Sequence, residues 1–172
     1  MLKAGTAKTV SALKLKNLKD LRAAVILVGL AAVVVVAALV GNPANPDTCG
    51  AYRDDKLITI GDHKIFAELA TTPAAQAQGL GGRSCIPADA GMLFSFSQPG
   101  RYGFWMKDMK FPIDMVWISA GHQAVAVKQN VQPSTYPDSF ANPVNRPAQY
   151  VLELQANASS RLKISPGTPV NF

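Results

Sequence analysis

The sequence predicts a mainly β (α+β) fold, a small barrel-like and mostly antiparallel sheet with one or two short helices, preceded by a single transmembrane helix. Three observations carry this. Short runs rich in Ile, Val, Phe and Trp recur between Gly, Pro and Asp from Leu57 onward, the pattern of strands joined by turns. Ile113 to Ile118 is apolar on both alternating faces except at Asp114, so it is expected as a central strand covered on both sides. Ala23 to Val40 is eighteen residues without a polar side chain, about 27 Å as a helix against the roughly 30 Å apolar thickness of a bilayer.

Charge divides the chain of 172 residues. Residues 1–22 carry six basic side chains (Lys3, Lys8, Lys14, Lys16, Lys19, Arg22) against Asp20, a basic cytoplasmic tail suited to an anionic membrane surface. Residues 23–41 form the expected signal anchor. A cleaved signal peptide is the rival, but its apolar region is usually ~7 to 15 residues and ends at small side chains, whereas this run ends Ala38-Leu39-Val40-Gly41-Asn42. Residues 42–50, with Pro43 and Pro46, read as a linker, and 51–172 as an extracytoplasmic β domain. After Arg22 the chain holds eleven basic and ten acidic groups, so no basic face for nucleic acid is expected.

Within the domain, Leu57 to Ile60 and Ile65 to Leu69 are expected to form a hairpin around Gly61-Asp62-His63-Lys64. Thr71 or Thr72 caps a short helix that has Pro73 in its first turn and stops at Gly79. The glycine-rich turn Gly79 to Ser84 lacks the Lys-Ser/Thr ending of a phosphate loop. Met92 to Phe96 and Tyr102 to Met106 are expected as paired strands, followed by the central strand and by Ala124 to Gln129. Pro133 to Pro147, with four prolines, reads as a long irregular loop of the kind that carries function. Tyr150 to Gln155 alternates as a strand, Ala156 to Leu162 suits a short helix, and Ser165-Pro166-Gly167 turns into a last strand, Pro169 to Phe172.

Cys49 and Cys85 are the two cysteines. Outside the cytoplasm a disulfide is the economical reading, and two free thiols remain the alternative. His63 and His122 lie in turn-like surroundings and complete no zinc site, so no metal or cofactor is expected.

The residues from about 56 to 172 resemble the domain of unknown function 192 family. The matching pieces run in order: Glu68-Leu69-Ala70 before Thr72-Pro73; Gly79-Leu80 with Arg83; Gly91-Met92-Leu93-Phe94; Phe104-Trp105-Met106-Lys107; Pro112-Ile113-Asp114; and Tyr150-Val151-Leu152-Glu153-Leu154. The resemblance implies a mostly β fold and supplies no established activity. The chain departs from the family pattern at Gly81, where Met is usual, and at Asp108-Met109, where Asn-Thr is usual.

Glu68, Arg83, Asp114 and Glu153 are the charged members of these pieces. Their structural reading is an internal ion-pair network with Arg83 as a fork for two carboxylates. The catalytic alternative makes Glu68 and Asp114 the acid and base of an envelope hydrolase, although no Ser-His-Asp set or other nucleophile stands out. The binding reading uses Trp105, Lys107 and Asp108 with Tyr136 and Phe140 as the contact surface for an envelope glycan, peptide or protein. It is favoured because the domain shows no nucleophile, base or metal constellation. The charge asymmetry generates one prediction: protease added to spheroplasts removes residues 42–172 and spares the tail, and a domain protected from protease reverses the orientation.

Overall fold

The computed structural model describes residues 49–172. The basic tail, the expected anchor over 23–41 and most of the linker lie outside the described residues. Among the described residues no helix is long and apolar enough to cross a membrane. The elements run β1 (Lys56–Ile60), β2 (His63–Ala70), α1 (Pro73–Gln78), β3 (Ala90–Gly100), β4 (Gly103–Trp105), β5 (Ile113–Ile118), β6 (Ala124–Val131), β7 (Ser139–Ala141), β8 (Ala148–Gln155) and α2 (Ala158–Arg161).

The hairpin of β1 and β2 turns on only two residues, Gly61 and Asp62, because Ile60 already pairs with His63 and Gly61 takes a φ of +58°. Helix α1 is short for reasons written at both ends. Thr72 Oγ1 accepts from the Ala75 amide at 3.2 Å, Pro73 starts the first turn, and Gly79 at φ +51° ends it.

Six strands form a mixed sheet in the order β1-β2-β3-β8-β5-β6. Its neighbours are antiparallel except β2 and β3, which are parallel. A parallel pair needs a crossover, and residues 71–89 provide it, carrying α1, the glycine-rich turn and Cys85. The expected barrel does not close. The C-terminal segment meets β1 and the start of β6 only through isolated bridges, Thr59 with Asn171 and Gln123 with Pro169. The tail is too short for a full strand, and Pro169 lacks the amide donor that a continuous ladder requires.

A second correction concerns β3. It does not pair with the Tyr102 to Met106 stretch, since β2 and β8 occupy both of its edges. Instead β4 pairs with β7 in a separate two-stranded sheet, setting Phe104 opposite Phe140 and Trp105 opposite Ser139. The segment expected to be irregular from Pro133 to Pro147 therefore contains a 3-10 turn, Pro133–Thr135, and a strand.

Strand alternation sends side chains into two cores, one on each face. Ile58, Ile60, Leu93, Val116, Leu152 and Leu154 meet the C-terminal residues Leu162, Ile164 and Val170. Met92, Phe94, Met115, Trp117 and Val151 meet Leu80, Ile86 and Met106 from the crossover and the β4–β5 region. The central strand β5 is buried along its whole length, and each large side chain so placed contributes roughly 1.5 to 3 kcal/mol. Trp117 also satisfies its indole N–H, which donates to the Tyr102 carbonyl at 2.8 Å.

A disulfide joins Cys49 to Cys85 across 36 positions and pins the start of the described chain to the crossover. Closing a loop of that length contributes about 4 kcal/mol in the chain-entropy model. Reduction should lower the melting temperature of the full-length chain by on the order of 10 °C. An unchanged melt under reducing conditions would refute this role.

Candidate functional site

Asp114 points from β5 toward the face covered by α2. It is fully buried and accepts four hydrogen bonds from three segments. Oδ1 receives the amides of Asn130 at 2.7 Å and Asn157 at 3.0 Å; Oδ2 receives the Ser159 amide at 2.8 Å and the Ser159 hydroxyl. A register shift in β6 opposite Asp114 turns the Asn130 N–H onto the carboxyl. At α2, Asn157 makes no side-chain cap, and Asp114 takes that place from another strand.

Glu68 on β2 is also buried, and Arg83 grips it with both ends of the guanidinium, Nη1 to Oε1 at 2.7 Å and Nη2 to Oε2 at 2.9 Å. The Arg53 amide donates to Oε1 at 3.2 Å, and Arg53 Nη2 stands 3.5 Å from Oε2. Burial alone would raise the Glu68 pKa, but these hydrogen bonds and the two guanidinium charges outweigh it, so the carboxyl is held below its ordinary value. Tyr52 lies under the Arg83 guanidinium, 5.5 Å from ring centroid to carbon, and donates to the Gly91 carbonyl.

The expected four-member ion-pair network thus resolves into separate parts. Arg83 serves Glu68 alone, Asp114 is held by amides and a hydroxyl, and Glu153 joins neither. The hydrolase arrangement of Glu68 and Asp114 is corrected for the same reason. Asp114 lies on the opposite face of the sheet from Glu68, and each is sealed by its own donors, so they cannot flank one substrate.

Glu153 on β8 is the third carboxyl. It faces Met92 on β3 and Met115 on β5, in register with Glu68 one strand further on. It is buried, and among the described residues Oε2 is the buried side-chain oxygen without a hydrogen-bond partner. Burial raises its pKa to about 8. The carboxyl lines a cavity of about 190 Å³ with Phe94, Phe96, Tyr102, Phe104 and Trp105 on its walls. Gln76 to Gly81 from α1 and the turn after it form another side, and Lys107 and Met109 complete the lining. Gly79 borders this space, where a Cβ would make ordinary contacts of 3.4 Å with Phe94 Cζ and 3.9 Å with Glu153 Oε2, and its φ of +51° is what favours glycine.

The sequence-predicted contact residues are split by the structure. Trp105 and Lys107 line the cavity. Trp105 is 53% exposed and meets the Tyr136 ring edge-on at a centroid distance of 6.1 Å, so that pair forms a surface patch. Phe140 is half-buried opposite Phe104, with Lys128 Nζ 5.1 Å from its ring centroid. Asp108 is exposed at φ +57°, a conformation that Asn and Asp tolerate best, and its carbonyl accepts from the Gly82 amide at 2.8 Å. The resemblance's usual Asn at this position thus has a conformational reason. Gly81, where Met is usual, is buried against the carbonyls of Gln78 and Lys107. Glu153 as a cavity floor, with Phe96, Tyr102 and Gly79 beside it, was missed; the available signal was a lone acid between Leu152 and Leu154 on an otherwise apolar strand. No group of three or more His, Cys, Asp or Glu among the described residues is placed to hold a metal ion.

With the fold and cavity described, the chain can be placed. It belongs to the DUF192 family, described as "Uncharacterized ACR", whose match covers residues 56–172. Two crystal structures are similar to it. One, from Sinorhizobium meliloti 1021 and provisionally described as a transcription regulator, is 30% identical with a TM-score of 0.62, covering 71% of this chain and 97% of its own. The other, a protein of unknown function from Novosphingobium aromaticivorans DSM 12444, is 26% identical with a TM-score of 0.62, covering 77% and 100%. Comparison with curated proteins gives no match.

The three carboxyls respond differently to change. Asp114→Ala leaves three amides and a hydroxyl without their acceptor, a loss of roughly 3 kcal/mol or more. Its melting temperature should fall by about 10 °C, and a wild-type melt would refute the clamp. Glu153 has the opposite sign. Its raised folded pKa means the native state keeps a proton that the unfolded chain releases, so stability is lost as pH rises from about 4.5 toward 8. Denaturant titrations across that range should show this decline in the wild type and a flatter profile in Glu153→Gln. Identical profiles would refute it.

Proposed function

We propose that this chain is a binding or accessory module of the cell envelope, held by an N-terminal membrane anchor, whose DUF192 domain seats a ligand in the Glu153 cavity. One observation carries the reading: Glu153, a buried acid with one carboxyl oxygen unpartnered, lies in the lining of an aromatic-walled cavity. Buried polar atoms are normally satisfied, and this cavity sets Glu153, Gln76, Gln78 and Lys107 among its rings, a mixed lining of the kind that orients a small molecule. The exposed Trp105–Tyr136 pair beside it supplies a surface on which a glycan or peptide can stack.

The remaining features support the same placement. The Cys49–Cys85 disulfide is the form such a pair takes in an oxidising compartment. The regulator description of the Sinorhizobium protein finds little support in this chain's charge, since eleven basic and ten acidic groups after Arg22 leave no strong field for DNA. Binding is favoured over turnover because Glu68 and Asp114 are spent on internal hydrogen bonds.

The test follows intrinsic fluorescence of the full-length chain in mild detergent, titrated with envelope glycan fragments and peptides. Trp117 is buried and Trp105 exposed, so the change reports on the cavity mouth. Trp105→Ala, which removes this reporter and is therefore followed by calorimetry, should weaken binding about tenfold or more. Release of a product from the same fragments would replace the binding module by an enzyme.

A further inference from the structure

We propose that the Glu153 cavity is an ammonium site, taking a primary amine on a slim apolar stem with the charge against Oε2 and the stem between the aromatic walls. This rests on the reading of the cavity as the ligand site and names its ligand class. Glu153 Oε2 lacks a partner; Arg83 and Arg53 are held on Glu68 and Lys128 lies over the Phe140 ring, while Lys107, in the lining of the same cavity, is exposed and forms no ion pair with the carboxyl. No cation of the described residues reaches the carboxyl, which leaves its oxygen to a cation from outside.

The walls select the same charge. Phe94, Phe96, Tyr102, Phe104 and Trp105 line the cavity, with Phe96 and Tyr102 stacked on each other, and a ring face turned to a ligand attracts a cation. A neutral hydroxyl would gain only an ordinary hydrogen bond from the carboxyl. An ammonium makes a charge-assisted one in weakly screening surroundings. Size limits the stem: about 190 Å³ holds roughly six water-sized groups. Gly79 adds no bulk beside the carboxyl, where a Cβ would stand in contact with Phe94 and Oε2.

Protons follow from this chemistry. Met92 and Met115 flank Glu153 on its own sheet. Further along the row lie Glu68 with its arginines and, across Met115, Lys128. From the covering segments come Lys107, exposed, and the Tyr102 hydroxyl, which donates to the Gln98 carbonyl at 2.5 Å; α1 offers the amides Gln76 and Gln78 and no charge. With burial holding the carboxyl near a pKa of about 8, an entering ammonium displaces the proton to solvent. Apparent affinity should therefore rise about tenfold per pH unit below 8 and level off above it.

The experiment uses the full-length chain in mild detergent with n-butylammonium, n-butanol and butyrate as probes, read by calorimetry and by the ¹³C signal of the Glu153 carboxyl. Butylammonium should bind with release of a proton, shift that signal to the ionised position at neutral pH, and lose about tenfold or more in affinity in Glu153→Gln. The Gln variant mimics the protonated acid, and an unchanged melt below pH 7 shows that it folds. Equal or tighter binding of n-butanol overturns the ammonium assignment while leaving the cavity a ligand site. A Glu153 signal that no probe moves, with glycans or peptides still altering Trp105 fluorescence, overturns it and leaves the binding module standing. Unchanged butylammonium affinity in Glu153→Gln also overturns it.

Discussion

The fold depends on one buried carboxyl. Asp114 occupies the middle of the domain, on a strand covered along its length, and its two oxygens gather amides from β6, from the turn after β8 and from α2. Without it, the shifted register of β6 would leave the Asn130 N–H buried without an acceptor, and α2 would begin uncapped. Both Asn130 and Asn157 take positive φ, at 50° and 67°, a local cost that the shared acceptor offsets. The face of the sheet beneath Ala158, Leu162 and Ile164 is closed only because this clamp holds the turn that delivers them.

Against that reference the other two acids are informative. Glu68 and Glu153 stand in one row across the opposite face, separated by Met92, roughly two strand spacings or about 10 Å apart. Their surroundings diverge because the crossover covers this face unevenly. It brings Arg83 down onto Glu68, then passes Glu153 with glycines and the end of α1. One acid gains a bidentate partner and a lowered pKa; the other gains none and a raised one. Identical chemistry on a single sheet face thus splits into a structural pair and an open carboxyl, which is how burial and partners usually divide such roles.

Much of the fold was legible in the sequence. The period-two pattern of Ile113 to Ile118 and Tyr150 to Gln155, the Thr72-Pro73 start and Gly79 stop of α1, and the Gly61-Asp62 turn are local signals, and the structure follows them. Pairing partners were not local. Nothing in Met92 to Phe96 says that it lies between β2 and β8 instead of beside Tyr102 to Met106, because register between distant strands is set by tertiary packing. The open sheet was hidden for a similar reason, since it turns on whether a short Pro-containing tail forms a ladder or two bridges. At the site, the importance of Glu68, Arg83 and Asp114 could be read from charges set in apolar runs, but their division into separate sets could not. Sequence shows that an acid is buried and not which amides converge on it.

Glu153 remains the residue whose presence the fold alone does not explain. A Leu or Met there would extend the packing of Met92, Met115 and Phe94, whereas the acid must stay protonated to be buried. Holding a carboxyl near pH 8 when the unfolded chain ionises near 4.5 costs on the order of 3 kcal/mol at neutral pH. That is a large share of the stability of a domain this size. The glycines and rings around it do nothing to lower that cost: Gly79 withholds a side chain that would fill the space, and no donor is supplied where several polar groups lie within the same lining. Departures from local consistency of this kind gather at functional sites. The uncompensated acid, the cavity volume and the aromatic walls coincide at one place on the domain, and it is their coincidence, more than any single residue, that motivates the proposal of a ligand site at Glu153.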